Sequence, residues 1–108
     1  MIPVGLHRVC RITTEAKSGE FWIWFYCPGC ETAHAVPVHE GAAGQDGWRF
    51  TGSGDRPTLA PSLLVHRAGT VKQCHSFVVD GRIQFLGDCD HGLAGKTVPL
   101  PDLPDWLQ

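Results

Sequence analysis

Five cysteines and six histidines in a chain of 108 residues are the side chains with the most chemistry to offer. Cys27-Pro28-Gly29-Cys30 is a Cys-x2-Cys pair on a Pro-Gly turn. Such a turn points both thiolates to one side and leaves backbone N–H groups to neutralise them, which makes it a zinc-knuckle-like loop. One pair is half of a tetrahedral site. Cys74 and Cys89 complete it in this reading, so that Cys27, Cys30, Cys74 and Cys89 hold one Zn2+, with His91 or His75 as substitutes for the fourth ligand. His34, a Cys-x3-His step beyond Cys30, could ligate or support a ligand. Two rival readings remain. Cysteine is often a small buried apolar residue. A redox pair needs a helix that starts at the motif, and Pro37 stops any helix there within two turns. An odd cysteine count does not suit a closed disulfide framework.

The elements that must position these residues are strands. Phe21 to Tyr26 is unbroken aromatic and β-branched sequence, which predicts a central strand buried on both faces or nearly so; it ends where the cysteines begin. Leu6 to Thr13 reads as a first strand closed by Lys17-Ser18-Gly19, and Thr32 to Val38 as the return arm after the Cys27 turn. Glu40 to Gly47 reads as a loop, Trp48 to Thr51 as a short strand, and Ser62 to His66 as a run that pairs somewhere in the sheet. Asp80-Gly81 predicts a two-residue hairpin turn, which fixes register: Val79 opposite Arg82, Val78 opposite Ile83, Phe77 opposite Gln84, Ser76 opposite Phe85 and His75 opposite Leu86. One face then carries Cys74, Ser76, Val78, Ile83, Phe85 and Cys89. The other carries His75, Phe77, Leu86 and Asp88.

That second face sets a histidine beside a carboxylate. His75 and Asp88 could orient an imidazole or move a proton, but with no nucleophile visible beside them the pair reads first as structural, and no catalytic residue is assigned. Cys10 reads as core; His7, His39 and His66 are isolated. The His-x-Glu and Pro-Cys-x-x-Cys pattern of zinc deaminases is absent, since the only His-Glu pair is the adjacent His39-Glu40.

Glycine (13) and proline (8) supply nearly a fifth of the chain, which argues for short strands and many turns. The fold class expected is mainly β, a small single-domain antiparallel sheet of short hairpins around the knuckle loop. It spans residues 1–98, with 99–108 as a proline-rich extended tail that Trp106 could pin. A net charge of −2 disfavours nucleic acid, and no apolar run approaches a membrane span, so a cytoplasmic protein is expected.

The order Phe25-Tyr26-Cys27-Pro28-Gly29-Cys30, His34, Arg56-Pro57-Thr58, Pro61-Ser62, Cys74-His75-Ser76-Phe77, Asp80-Gly81-Arg82-Ile83 and Asp88-Cys89-Asp90-His91 resembles a family of small Cys/His-rich phage and prophage proteins. Members sometimes carry an "ammonia monooxygenase" label, and more distant relatives are encoded beside bacterial ubiquitin-like modification operons. The resemblance covers roughly residues 20 to 101 and implies metal binding, phage or prophage origin and hence a host bacterial cytoplasm. It places Gly at position 31, where this chain has Glu31. The monooxygenase label does not suit a chain without a membrane segment. The function expected is therefore a zinc-stabilised module that binds a host or phage protein and modulates the host. The alternative is a small zinc-dependent hydrolase using His75, Asp88 or His91.

Overall fold

The computed structural model describes residues 2–40, 47–66 and 72–108. Among the described residues nine strands follow in chain order: β1 (Gly5–Leu6), β2 (Arg11–Thr14), β3 (Phe21–Cys27), β4 (Thr32–Glu40), β5 (Trp48–Gly52), β6 (Pro57–His66), β7 (Gln73–Val79), β8 (Arg82–Phe85) and β9 (Thr97–Pro99), before a 3-10 turn at Asp105–Leu107. They form one sheet in which each strand lies beside its sequence neighbours. The chain is all-β, as its composition implies, and no helix among the described residues is long and apolar enough to cross a membrane.

One pairing departs from the antiparallel expectation. β4 and β5 are parallel, with Val38 opposite Trp48 and Glu40 opposite Phe50. The expected loop from Glu40 to Gly47 lies mostly outside the described residues, but its first residue, Glu40, closes β4. The first expected strand is also corrected. Leu6 to Thr13 is two strands, because the chain doubles back at His7–Cys10, where the His7 N–H donates to the Cys10 carbonyl at 2.8 Å. No glycine or proline marks that turn; it is held from outside, with the Cys10 thiol donating to the Gly54 carbonyl at 3.1 Å. Burial pushes the Cys10 thiol up to about 12, with the charge of Asp55 adding to the effect, so it stays protonated in the core.

β3 is buried on one face only. Ile23, Phe25 and Cys27 point inward, while Trp22 and Tyr26 are partly covered and Trp24 is exposed on the other side. The same alternation runs through β4 (His34, Val36, Val38), β7 (Cys74, Ser76, Val78) and β8 (Ile83, Phe85). These inward sets meet because the sheet curls. Neighbouring strands lie about 4.8 Å apart, so four steps would hold β3 and β7 about 19 Å apart in a flat sheet. The sulfurs of Cys27 on β3 and Cys74 on β7 are 3.9 Å apart. Beyond β9, Leu100 and Leu103 are buried, the Leu100 N–H donates to the Gly81 carbonyl and the Leu103 N–H to the Arg8 carbonyl, both at 2.9 Å. Trp106 rests edge-on to Tyr26 at 6.2 Å yet stays exposed.

The β7–β8 hairpin has the register its turn demands, from Ser76↔Phe85 to Val79↔Arg82. Asp80 and Gly81 have φ of 50° and 76°, the left-handed pair of a tight hairpin turn. A Cβ at Gly81 would also come within 3.2 Å of the Asp55 carbonyl oxygen and the Arg56 Cα. Gly81→Ala is therefore expected to cost roughly 1–2 kcal/mol of stability, read from the midpoint of a urea titration; an unchanged midpoint would refute this account of the turn.

Candidate functional site

The curl gathers four metal-ligating side chains. One donor atom each from Cys27, Cys30, Cys74 and His91 lies within 4.8 Å of all the others; the three cysteines are buried and His91 is partly covered. β3 delivers Cys27 at its last residue, and the Pro28-Gly29 turn returns Cys30, whose N–H donates to the Cys27 sulfur at 3.3 Å. The turn closes through Glu31, whose N–H donates to the Cys27 carbonyl at 2.8 Å. Glu31 has φ of 56°, a left-handed conformation that glycine adopts without strain, which gives a physical reason for the glycine expected there from the resemblance.

The electrostatics favour a thiolate. A hydrogen bond with Cys74 is the largest influence on Cys27; with help from His34 and the Cys30 N–H it outweighs burial and lowers the Cys27 thiol to about 4. Cys74, the partner that keeps its proton, is shifted upward by that same bond and by burial. His34 is thus beside the cluster rather than in it. Its ring is edge-on to Phe25, and its buried Nε2 has no hydrogen-bond partner among the described residues.

His91 takes the place expected for Cys89. The Leu93 N–H reaches His91 Nδ1 at 3.2 Å and Nε2 lies 3.4 Å from the Cys74 sulfur, while the ring packs edge-on to Phe85 at 4.5 Å. Cys89 does share the inward side with Cys74, but its sulfur is engaged with the backbone of His75. It accepts from the His75 N–H at 3.2 Å and donates to the His75 carbonyl at 3.1 Å.

On the outer face of the same strands the structure builds a second constellation. The Ser62 hydroxyl lies 3.1 Å from His75 Nε2, and His75 Nδ1 lies 3.1 Å from Asp88 Oδ2. Pairing explains this geometry. Leu64 is opposite His75, so Ser62, two residues earlier, shares its face one step along the strand. Across the hairpin His75 is opposite Leu86, whose N–H donates to the His75 carbonyl at 2.9 Å, and Asp88 lies two residues further. The three residues therefore run diagonally over three adjacent chain segments. A bulge in β6 between Leu59 and Leu63 shapes the Ser62 end, and the Trp48 indole N–H donates to the Ser62 carbonyl at 3.3 Å. At the other end Gln73 Nε2 donates to Asp88 Oδ2 at 2.9 Å.

A serine hydroxyl, an imidazole and a carboxylate in this order can activate the serine as a nucleophile. The hairpin rule had placed His75 and Asp88 together. Ser62 escaped it because β6 and β7 are not joined by a tight turn, so nothing in the sequence set their register; only its place in a strand-forming run was visible.

The model of the BubE family, described as the serine protease of a bacterial ubiquitination-like system, matches residues 6–86. The chain belongs to this family. Its BubE match covers Cys27, Cys30, Ser62, Cys74 and His75 and stops two residues short of Asp88. It also agrees with the link to bacterial ubiquitin-like operons drawn from the motif order. No curated protein and no solved structure matches this BubE chain.

One glycine tests the metal centre. A Cβ at Gly29 would overlap the His91 ring, so the close approach of the knuckle to the fourth ligand requires glycine. Gly29→Ala should weaken metal binding by about 10–100-fold in competition with a chelator, the range for a disturbed ligand shell, while wild-type affinity in that variant would remove His91 from the site.

Proposed function

We propose that the protein is a serine hydrolase with a structural zinc, acting as a peptidase in a bacterial ubiquitination-like system. Ser62 is its nucleophile, His75 its general base, and Asp88 the carboxylate that orients the imidazole. The observation that carries this reading is the relay itself, Ser62 Oγ to His75 Nε2 and His75 Nδ1 to Asp88 Oδ2, each 3.1 Å. Membership of the BubE family, described as the serine protease of a bacterial ubiquitination-like system, supports the reaction class and the system.

In this mechanism the His75 Nδ1–H donates to Asp88, which holds the tautomer whose bare Nε2 faces Ser62. Nε2 takes the Ser62 proton as Oγ attacks a carbonyl carbon, and the imidazolium formed is stabilised by Asp88. His75 then returns that proton to the leaving group, and the acyl-serine is released by water through the same base. Gln73 Nε2 donates to the same Asp88 oxygen, Oδ2, that faces His75 and so helps to fix it.

Three thiol sulfurs and one imidazole form a donor set suited to zinc, and Cys27, Cys30, Cys74 and His91 would hold it. Bound there, it would supply a structural cross-link between these stretches of chain. Of the residues that the zinc-dependent hydrolase alternative offered for acid–base work, His75, Asp88 or His91, His91 lies with the sulfurs at 3.4 Å from Cys74, which supports giving that work to His75 and Asp88. The binding-module reading drew on a closed four-ligand site and on the lack of a visible nucleophile, and the contact of Ser62 with His75 supports the hydrolase reading over it on the second ground.

The test is labelling of the full chain with a fluorophosphonate, in which Ser62 Oγ bonds to phosphorus and fluoride leaves. Peptide mapping should place the adduct on Ser62, and Ser62→Ala should give none. Asp88→Asn should slow labelling by about 10²–10⁴-fold while leaving the thermal midpoint nearly unchanged, as expected for a residue that orients the base. Labelling of Ser62→Ala at the wild-type rate would refute the assignment.

A further inference from the structure

The metal cluster and the hydrolytic relay share two short segments, each of which supplies one residue to the cluster and one to the relay. In one, Gln73 touches Asp88, Cys74 is a ligand and His75 is the base. In the other, Asp88 orients the base, Cys89 grips the His75 backbone, Asp90 grips Gln73 and His91 is a ligand. The bonds between them are dense. The Gln73 N–H donates to Asp90 Oδ2 at 2.9 Å, and the Asp90 N–H returns to the Gln73 carbonyl at 3.0 Å. Gln73 Nε2 donates to both Asp88 Oδ2, at 2.9 Å, and the Asp88 carbonyl, at 3.1 Å. The Cys89 sulfur brackets the His75 peptide by accepting from its N–H and donating to its carbonyl.

The second segment needs such anchors. β8 ends at Phe85, so Asp88 lies beyond its ladder, in a stretch flanked by Gly87 and Gly92. Glycine at both ends leaves the intervening backbone many conformations unless something restrains it. His91 in the metal cluster is the restraint at its far end, and Cys74 ties the first segment to the same point. Because side chains alternate along β7, Cys74 points inward to the cluster while His75 points outward to Ser62.

We propose that Gln73 and Cys89 are positioning residues that carry occupancy of the Cys27–Cys30–Cys74–His91 site into the geometry of His75 and Asp88, so that hydrolysis requires the metal although the metal never meets the substrate. This rests on the reading of Ser62 as nucleophile. The coupling makes two demands. Any ion that fills the four-ligand site with similar geometry must support the reaction. Breaking the Gln73 or Cys89 contacts must slow it with the metal still in place.

The experiment uses the full chain and the same fluorophosphonate, with metal content measured on every sample. Chelation should slow Ser62 labelling by at least about tenfold, and reloading with either Zn2+ or Cd2+ should restore it. Metal-loaded Gln73→Glu, isosteric but unable to donate to Asp88, and Cys89→Ala should each slow labelling by about tenfold or more; Cys89→Ser, which keeps a donor and an acceptor, should recover most of the rate. Wild-type rates in chelated protein, or in both metal-loaded variants, would overturn the coupling while leaving Ser62 as nucleophile. No labelling of metal-loaded wild-type protein would overturn the nucleophile instead. Amide hydrogen exchange then decides the coupling independently, and also does so if a variant fails to fold. The His75 and Asp90 N–H groups should be protected in the metal-loaded wild type and lose that protection on chelation; unchanged protection would overturn it.

Discussion

Everything in this molecule depends on the closure of one curled sheet at the point where Cys27 meets Cys74. The two residues sit on strands four steps apart, and only curvature brings their sulfurs within 3.9 Å. That curvature also encloses the core, since the inward residues of β3, β4, β7 and β8 pack together only when the sheet wraps on itself. A chain of 108 residues with many glycines and prolines has a limited core to hold such a shape. A four-ligand cluster at the closure joins distant stretches of sequence directly, which small domains commonly need.

The period of the β-strand separates the chemistry that the closure brings together. Adjacent residues on a strand face opposite ways, so Cys74 and His75, neighbours in sequence, serve different sites. The thiol side is dry and crowded with sulfur. The imidazole side is partly open, with the His75 side chain 25% exposed and Asp88 50% exposed. The four side chains that could hold a metal gather with the sulfurs, while Ser62 shares the face of His75. Structural and reactive roles are thus divided across one sheet thickness.

What the sequence revealed follows the range of its interactions. The Asp80-Gly81 turn fixes its own register because left-handed backbone at two consecutive residues permits one hairpin geometry, and from it the shared face of His75 and Asp88 could be derived. The Cys27 knuckle was equally local. Cys89 against His91 was harder, because both lie beyond the end of β8, where strand alternation no longer dictates direction. The doubling back at His7–Cys10 stayed hidden because its brace, the Gly54 carbonyl, is 44 residues away in sequence. Ser62 stayed hidden for the same kind of reason, since the β6–β7 register is set by packing of Leu59 and Leu63 against the core.

The relay is consequently assembled from two halves that are braced in different ways. Ser62 belongs to a bulge whose preceding residue, Pro61, has no N–H to lose from the ladder, and the Trp48 indole on β5 holds its carbonyl. His75 and Asp88 belong to the segments tied to the metal ligands. The halves meet in the β6–β7 ladder, where Leu63 pairs with Ser76 and Leu64 with His75. A one-residue slip there would turn Ser62 to the wrong face, and a two-residue slip would keep the face but move its hydroxyl about 7 Å from the imidazole's reach. Leu63 opposes the first, because it is almost fully buried and a one-residue slip would carry it out of the core. The distance between Ser62 and His75 is therefore governed in part by an apolar side chain that points to the opposite face, and the precision of that contact is inherited from the packing of the sheet.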